Sequence, residues 1–254
     1  MTGSALDGPA PRESYGATLR RLTAAQKPAA RSAPAYSRFV NRRIGRYLAA
    51  WAYRAGLSPN AVTAISAVWT FAAVVLLIAL PASWGLGAGV AVLLLVGYAF
   101  DSADGQLSRL TGRSSPAGEW LDHMVDATKV VSMPLALLVG FYLHGTTSVA
   151  WLVVPLLSAV VSSVLFFGMI LTEQLRRRYG GVPLAEDLPG RPSWLRAVLV
   201  LPMDYGVLCL SFVLLGWMAA FQVVYTVILI ATALFLLAAA VRWFRELRTE
   251  GSPS

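Results

Sequence analysis

The feature that most constrains this chain is a succession of apolar stretches, each about as long as a bilayer crossing, with nearly all the charge gathered between them. A helix of roughly 20 apolar residues can span a membrane because its backbone groups satisfy one another without water. Six stretches meet that ruler, at about Ala61–Leu80, Leu86–Leu110, Ala117–Leu143, Val149–Leu175, Asp204–Ala219 and Val223–Phe244. Composition agrees: 57% of the 254 residues are hydrophobic and 13% charged, against about half and a quarter in soluble domains. That balance excludes a water-soluble enzyme, and it equally excludes a disordered tail protein. The expected fold is all-α, a polytopic membrane protein with six transmembrane helices. The one cysteine, Cys209, lies in an apolar run, so neither a disulfide framework nor a multi-cysteine zinc site is expected.

The basic residues then set the topology. The net charge is +8, and ten of the 21 Lys and Arg lie before Ser58. The rest cluster around Arg109, Arg113 and Lys129, at Arg176 to Arg178, at Arg191 and Arg196, and at Arg242, Arg245 and Arg248. The turns near Ala82, Gly145 and Phe221 carry none. The positive-inside rule therefore places both termini and the ends of the second and third spans in the cytoplasm, an orientation that an even number of crossings also requires. From Ser37 to Ala55, Phe39, Val40, Ile44, Tyr47, Leu48 and Trp51 recur at helical spacing against Arg38, Arg42, Arg43, Arg46 and Arg54. This predicts an amphipathic juxtamembrane helix lying on an anionic cytoplasmic surface. The first 38 residues lack the apolar core of a cleaved signal peptide. The domain reading is a disordered segment over 1–36, a membrane domain over 37–248 and a disordered tail over 249–254, in a protein integral to the plasma membrane.

Five of the thirteen acidic residues crowd into the 26 residues from Asp101 to Asp126. Charge at the end of a span is costly unless it meets water or a partner. Asp101 and Asp104 are three apart and Asp122 and Asp126 four apart, so each pair shares a helix face. A turn rich in Gly, Ser and Pro, Thr111 to Pro116, folds the two helices back so that the pairs oppose each other. Four converging carboxylates need cations between them, and hard oxygen ligands favour Mg²⁺, Mn²⁺ or Ca²⁺ over zinc. Two such ions suit a diphosphate. Gly105 and Gly118 leave room for a bulky ligand, and Arg109 offers a fork of donors to phosphate.

The stretch resembles the signature of the CDP-alcohol phosphotransferase family, D-x-x-D-G-x-x-A-R, eight residues, then G-x-x-x-D-x-x-x-D. Asp101, Asp104, Gly105 and Arg109 match its first half, and Gly118, Asp122 and Asp126 its second. Ser108 stands where the family has Ala. The segment Ser58 to Thr63 before the first span is also similar, so the resemblance covers about Arg38 to Leu247. It implies an enzyme of phospholipid biosynthesis that displaces CMP from a CDP-alcohol, such as CDP-diacylglycerol, by the hydroxyl of an acceptor alcohol. By similarity, Asp101, Asp104 and Asp122 would hold two ions, Mg²⁺ or Mn²⁺. Asp126 would ligate one of them and accept the hydroxyl proton. Gly105, Ser108, Arg109 and Gly118 would line the nucleotide. Asn60 and Thr63 belong to the same segment as candidate ligand-binding residues, and each can equally be a helix cap. The resemblance further implies a homodimer, membrane lipids as partners and no nucleic acid.

The acceptor is read in two ways. Glu119 and His123 resemble the branch that uses CDP-choline or CDP-ethanolamine with diacylglycerol, and His123 then competes with Asp126 as base. Lys27-Pro28, Ser37-Arg38 and Asn41 to Arg43 bear a fainter similarity to the branch that transfers inositol phosphate, whose acceptor phosphate needs cations such as Lys129 or Arg176 to Arg178. Two other classes are weighed. A divalent-cation transporter or channel would carry acids through the membrane depth, and the first, fourth and sixth spans have none in their middles. A nucleic-acid binder is unnecessary once topology explains the basic blocks.

Overall fold

The computed structural model describes residues 14–24, 34–179 and 204–250, and every element among them is helical. Helix α1 is Tyr15–Ala24 and α2 is Arg42–Arg54, the latter entered through a π-helical turn at Ser37–Asn41. Then come α3 (Pro59–Ala79), α4 (Trp84–Thr111) and α5 (Pro116–Leu143). Helix α6 (Val153–Tyr179) follows a 3₁₀ turn at Val149–Leu152. Helix α7 (Tyr205–Ser211) runs into a 3₁₀ turn at Phe212–Gly216, and α8 is Met218–Glu250.

Five helices among the described residues are long and apolar enough to cross a membrane, α3, α4, α5, α6 with its leading turn, and α8, as befits an integral membrane protein. Their positions follow the expected spans closely. The fifth expected span is the exception: only the shorter apolar stretch Tyr205–Gly216 is described there, and 180–203, which hold Arg191 and Arg196, lie outside the described residues. A second difference concerns the N-terminus. The segment read as disordered contains α1, whose Leu22 and Thr18 are buried against α2 and α4. Tyr15 Oη donates to the Tyr47 carbonyl at 3.0 Å and Arg46 Nη1 to Thr23 Oγ1 at 2.9 Å, so a short helix that could not stand alone is held by tertiary packing. The end segments 1–13 and 251–254 lie outside the described residues.

Local chemistry explains where the long helices start. Ser58, Ser83 and Ser115 each accept a hydrogen bond from the backbone N–H three residues on, capping α3, α4 and α5, and Pro59 and Pro116 occupy first-turn positions that lack a partner for an N–H. The cap of α3 is thus Ser58, and neither Asn60 nor Thr63 serves as one. Gly112, at φ 64°, closes α4 in the left-handed conformation and begins the short turn to α5.

Close helix approach then fixes which faces meet. A Cβ on Gly140 of α5 would run into the Leu77 carbonyl of α3. One on Gly97 of α4 would lie 2.6 Å from Thr70 Oγ1, and one on Gly45 of α2 2.7 Å from Ser102 Oγ. The main core fills the far half of the bundle, with Leu77, Leu94, Leu137, Phe212 and Phe221 among its members. A smaller cluster of Leu22, Ala49, Ala52, Val62, Ala103 and Leu107 seats α1 and α2 on α3 and α4 at the other end.

Candidate active site

The carboxylates gather at the end of the bundle where α4 leaves and α5 begins. Ligand oxygens of Asp101, Asp122 and Asp126 lie within 4.8 Å of one another. Lys129, one turn beyond Asp126 and almost fully buried, points its ammonium into this group, with Nζ 2.6 Å from Asp101 Oδ1 and 3.1 Å from Asp126 Oδ1. It also donates to Ser66 Oγ at 3.2 Å, and Ser66 in turn donates to the Gly97 carbonyl at 2.9 Å. Burial of an ammonium is tolerated here because every partner is an oxygen acceptor and two of them are acids.

Asp104 stands apart from that trio. Its Oδ2 accepts a 2.7 Å hydrogen bond from Thr63 Oγ1, and both residues are buried. Three of the four expected carboxylates therefore converge directly, and the fourth is held toward α3. The remaining motif positions lie at the same junction, on the last turns of α4 and the first turn of α5. A Cβ on Gly105 would meet Arg109 Nη1 at 3.5 Å, so the guanidinium lies over the bare backbone there. A Cβ on Gly118 would stand 3.1 Å from Asn60 Oδ1, which places exposed Asn60 of α3 across a narrow gap from α5. Ser108 is half-buried one residue before Arg109, with its carbonyl 3.4 Å from Thr111 Oγ1.

His123 sits outside the trio. Its Nε2 is 3.8 Å from Glu119 Oε1, the same oxygen that accepts from Arg177 Nη1 at 3.0 Å. Arg177, from the run read as a topology anchor, thus bridges α6 to the edge of the site, and it also donates from Nε to Glu173 at 3.3 Å. Its neighbour Arg176 is buried in an ion pair with Glu246 of α8.

Several residues that build the site carry no motif. Ser66 was missed, although it lies one turn after Thr63 on the same face. Tyr98 stacks with Tyr36 at a 6.3 Å centroid distance and meets Tyr205 edge-on at 4.9 Å. Tyr98 and Tyr205 line a 170 Å³ cavity beneath Asp101 and Asp126. Asp204, fully buried, accepts from the Tyr36 N–H at 2.6 Å and from the Gly206 N–H at 3.0 Å, tying the approach to α2 onto α7. Its signal in the sequence was an acid at the edge of an apolar run. The cavity beneath the aspartates shares Lys129, Val130, Phe166 and Tyr205 with a larger one of 280 Å³ that runs among α5, α6, α7 and α8 past Met133, Leu208 and Tyr225. An acidic, cation-seeking mouth therefore continues into an apolar interior.

The family description for CDP-alcohol phosphatidyltransferases matches residues 56–246, about three quarters of the chain and all of the acidic cluster. The chain belongs to that family. It is accordingly a transferase of phospholipid synthesis. Among solved structures, the fold is similar to phosphatidylinositol phosphate synthase (PgsA1) of Mycobacterium tuberculosis with CDP-DAG bound, at a TM-score of 0.54 and 22% identity over 85% of this chain and 98% of that one. The same enzyme in complex with manganese and citrate gives a TM-score of 0.53 at 22% identity, covering 85% and 93%. No curated protein sequence matches the chain.

Proposed function

We propose that this enzyme displaces CMP from a CDP-linked lipid by the hydroxyl of an acceptor alcohol, at a site that holds two divalent ions, Mg²⁺ or Mn²⁺. The observation that carries the reading is the convergence of Asp101, Asp122 and Asp126 at the membrane-surface end of an apolar bundle. The donor set fits: carboxylate oxygens alone are hard ligands, with no imidazole or thiolate among them. These three and Asp104 would hold the ions, which when bound neutralise the diphosphate oxygens and the departing CMP. Manganese and CDP-DAG in the M. tuberculosis synthase support the same assignment for donor and metal.

The chain's own groups do the rest. Asp126 accepts the proton of the attacking hydroxyl, a role favoured over His123 by position, since Asp126 belongs to the trio and His123 faces Glu119. Lys129 pins the Asp101 and Asp126 carboxylates in one orientation. Thr63 does the same for Asp104. Arg109 over Gly105 binds the nucleotide phosphate, and Gly118 and Ser108 line the nucleotide beside it, with Asn60 against Gly118. The apolar cavity beyond Lys129 takes hydrocarbon of the lipid.

The topology follows the same reasoning. Arg176 of α6 pairs with Glu246 of α8, so the C-terminal ends of both helices lie at the acidic end of the bundle. Helix α8 starts at the opposite end, and the chain must cross between them. We therefore count Tyr205–Gly216 with the fifth crossing, giving six. The basic blocks put the site and both termini in the cytoplasm, in the plasma membrane. Helix α2, with Phe39, Ile44, Tyr47 and Trp51 exposed along its approach and length, lies on the membrane surface.

The acceptor is an inositol phosphate or a diacylglycerol-type alcohol. The cation-transport alternative finds no support, since all acids in the described residues lie toward one end of the bundle. The test is CMP release by the purified protein from CDP-diacylglycerol or CDP-alcohols with each acceptor, with and without Mg²⁺ or Mn²⁺. Mass spectrometry of the product names the acceptor. Full activity in Asp101→Asn or Asp126→Asn would overturn the residue assignments.

A further inference from the structure

On the other flank of α4 lies a second polar cavity, of 660 Å³, where α1, the end of α2 and the end of α4 meet. Its lining includes Arg21, Tyr53, Arg54, Gly56, Thr111 and Arg113, so three arginines from three separate segments border it. No carboxylate is among its described lining residues. Neither Arg54 nor Arg113 has an ion-pair partner among the described residues, and Arg21 lies 6.0 Å from the centre of the Tyr53 ring. An anion in this space would gain charge-assisted hydrogen bonds from both Arg54 and Arg113.

The walls are built rather than incidental. Leu22 is buried beside Arg21, and the Tyr15 and Arg46 hydrogen bonds fasten α1 to α2. Gly56, at φ 72°, turns the chain between α2 and α3 and leaves its Cβ direction open. The cavity lies where α3 enters and α4 leaves the bundle end, and its Arg54 follows the exposed Tyr47 and Trp51 at helical spacing on α2. That is the depth of lipid headgroups, since an amphipathic helix of this kind beds its apolar face at the headgroup boundary.

We propose that this cavity binds the phosphate of an anionic phospholipid headgroup, at a site separate from the catalytic one. Arg54 and Arg113 supply charge-assisted donors, Arg21 closes the third side, and the bound phosphate links α1 to the junction of α2 and α4. The inference goes beyond the catalytic reading and does not depend on it, because it makes no use of the acidic cluster.

The test is native mass spectrometry of the full-length protein in a mild neutral detergent, after exposure to phosphatidylglycerol, to phosphatidylcholine, or to inorganic phosphate alone. The expected result is retention of phosphatidylglycerol over phosphatidylcholine, reduced about tenfold or more in Arg54→Gln/Arg113→Gln. Arg43→Gln, which removes exposed charge from α2 away from the cavity, retains the lipid as the native protein does. The double variant Arg54→Lys/Arg113→Lys recovers part of the retention, and thermal melting checks that all variants fold. Equal retention by the Gln double variant and the native protein would overturn the proposal, as would equal loss in Arg43→Gln. Binding of inorganic phosphate with no preference for the lipid would reassign the site to a soluble anion and overturn it as well.

Discussion

Replacing Thr63 by Val tests whether Asp104 belongs to the metal-binding set. The substitution keeps the shape of the side chain and removes one donor. Thr63 Oγ1 lies 2.7 Å from Asp104 Oδ2 and 3.2 Å from the Pro59 carbonyl, and its single hydrogen goes to the nearer, charged acceptor. Thr63 is 4% and Asp104 7% exposed, so water cannot take over the lost bond. A hydrogen bond to a charged group contributes roughly 1.5–3 kcal/mol. If Asp104 reaches a divalent ion, that loss loosens the ligand and raises the half-saturating Mg²⁺ or Mn²⁺ concentration roughly ten- to a hundredfold. The assay is CMP release across a metal titration, run beside a thermal melt in the absence of metal. Thr63→Ser, which restores the hydroxyl, should return the metal dependence to within a few-fold of the native enzyme. A Val variant with lowered melting temperature and unchanged metal dependence would refute the reasoning, because the bond would then serve the fold alone.

Asp126→Asn should lower CMP release about 10²- to 10⁴-fold with the protein still folded, the range expected for loss of a general base; a drop smaller than tenfold would move the proton elsewhere. Chelation should stop turnover and either Mg²⁺ or Mn²⁺ restore it; turnover that continues in excess chelator contradicts the metal assignment. Lys129→Met should destabilise the metal-free protein, since Asp101 and Asp126 lose their shared cation, and added Mn²⁺ should narrow the gap in melting temperature between variant and native protein. Gly140→Ala should cost about 1–3 kcal/mol of stability, because the new methyl meets the Leu77 carbonyl and a backbone must shift; a melting temperature equal to the native value would show that α3 and α5 are not so closely apposed.

The acidic cluster was legible in the sequence because its parts are local. Asp101, Asp104, Asp122 and Asp126 sit at fixed helical spacing on two consecutive helices, and the turn between them is capped and closed by Ser115, Pro116 and Gly112. The long spans were legible for a similar reason, since length and apolarity are properties of a single segment. Helix α1 offered a usable signal too. Tyr15, Thr18, Leu19 and Leu22 recur at helical spacing, but the stretch is only 10 residues long and its mate, α2, lies beyond an intervening segment, so nothing local shows that Leu22 has a surface to bury against.

What stayed hidden depends on which faces of distant helices meet. Lys129 reads equally well, in sequence, as a cation for an acceptor phosphate or as a partner for the acids. Its direction is settled by Ser66, which hydrogen-bonds it from α3 and the Gly97 carbonyl of α4 in turn. That arrangement exists because Gly97 lets α3 and α4 come close, while Gly140 does the same for α3 and α5. The same dependence governs Thr63 and Asp104, 41 positions apart, and Glu119 and Arg177, 58 apart. The carboxylates proposed to meet the ions are thus written in one motif, whereas the groups that aim them, Thr63 and Ser66 on α3 and Lys129 on α5, become visible only once small residues have set the helix contacts. A variant series confined to the motif would find the ligands and miss the residues that hold them in register.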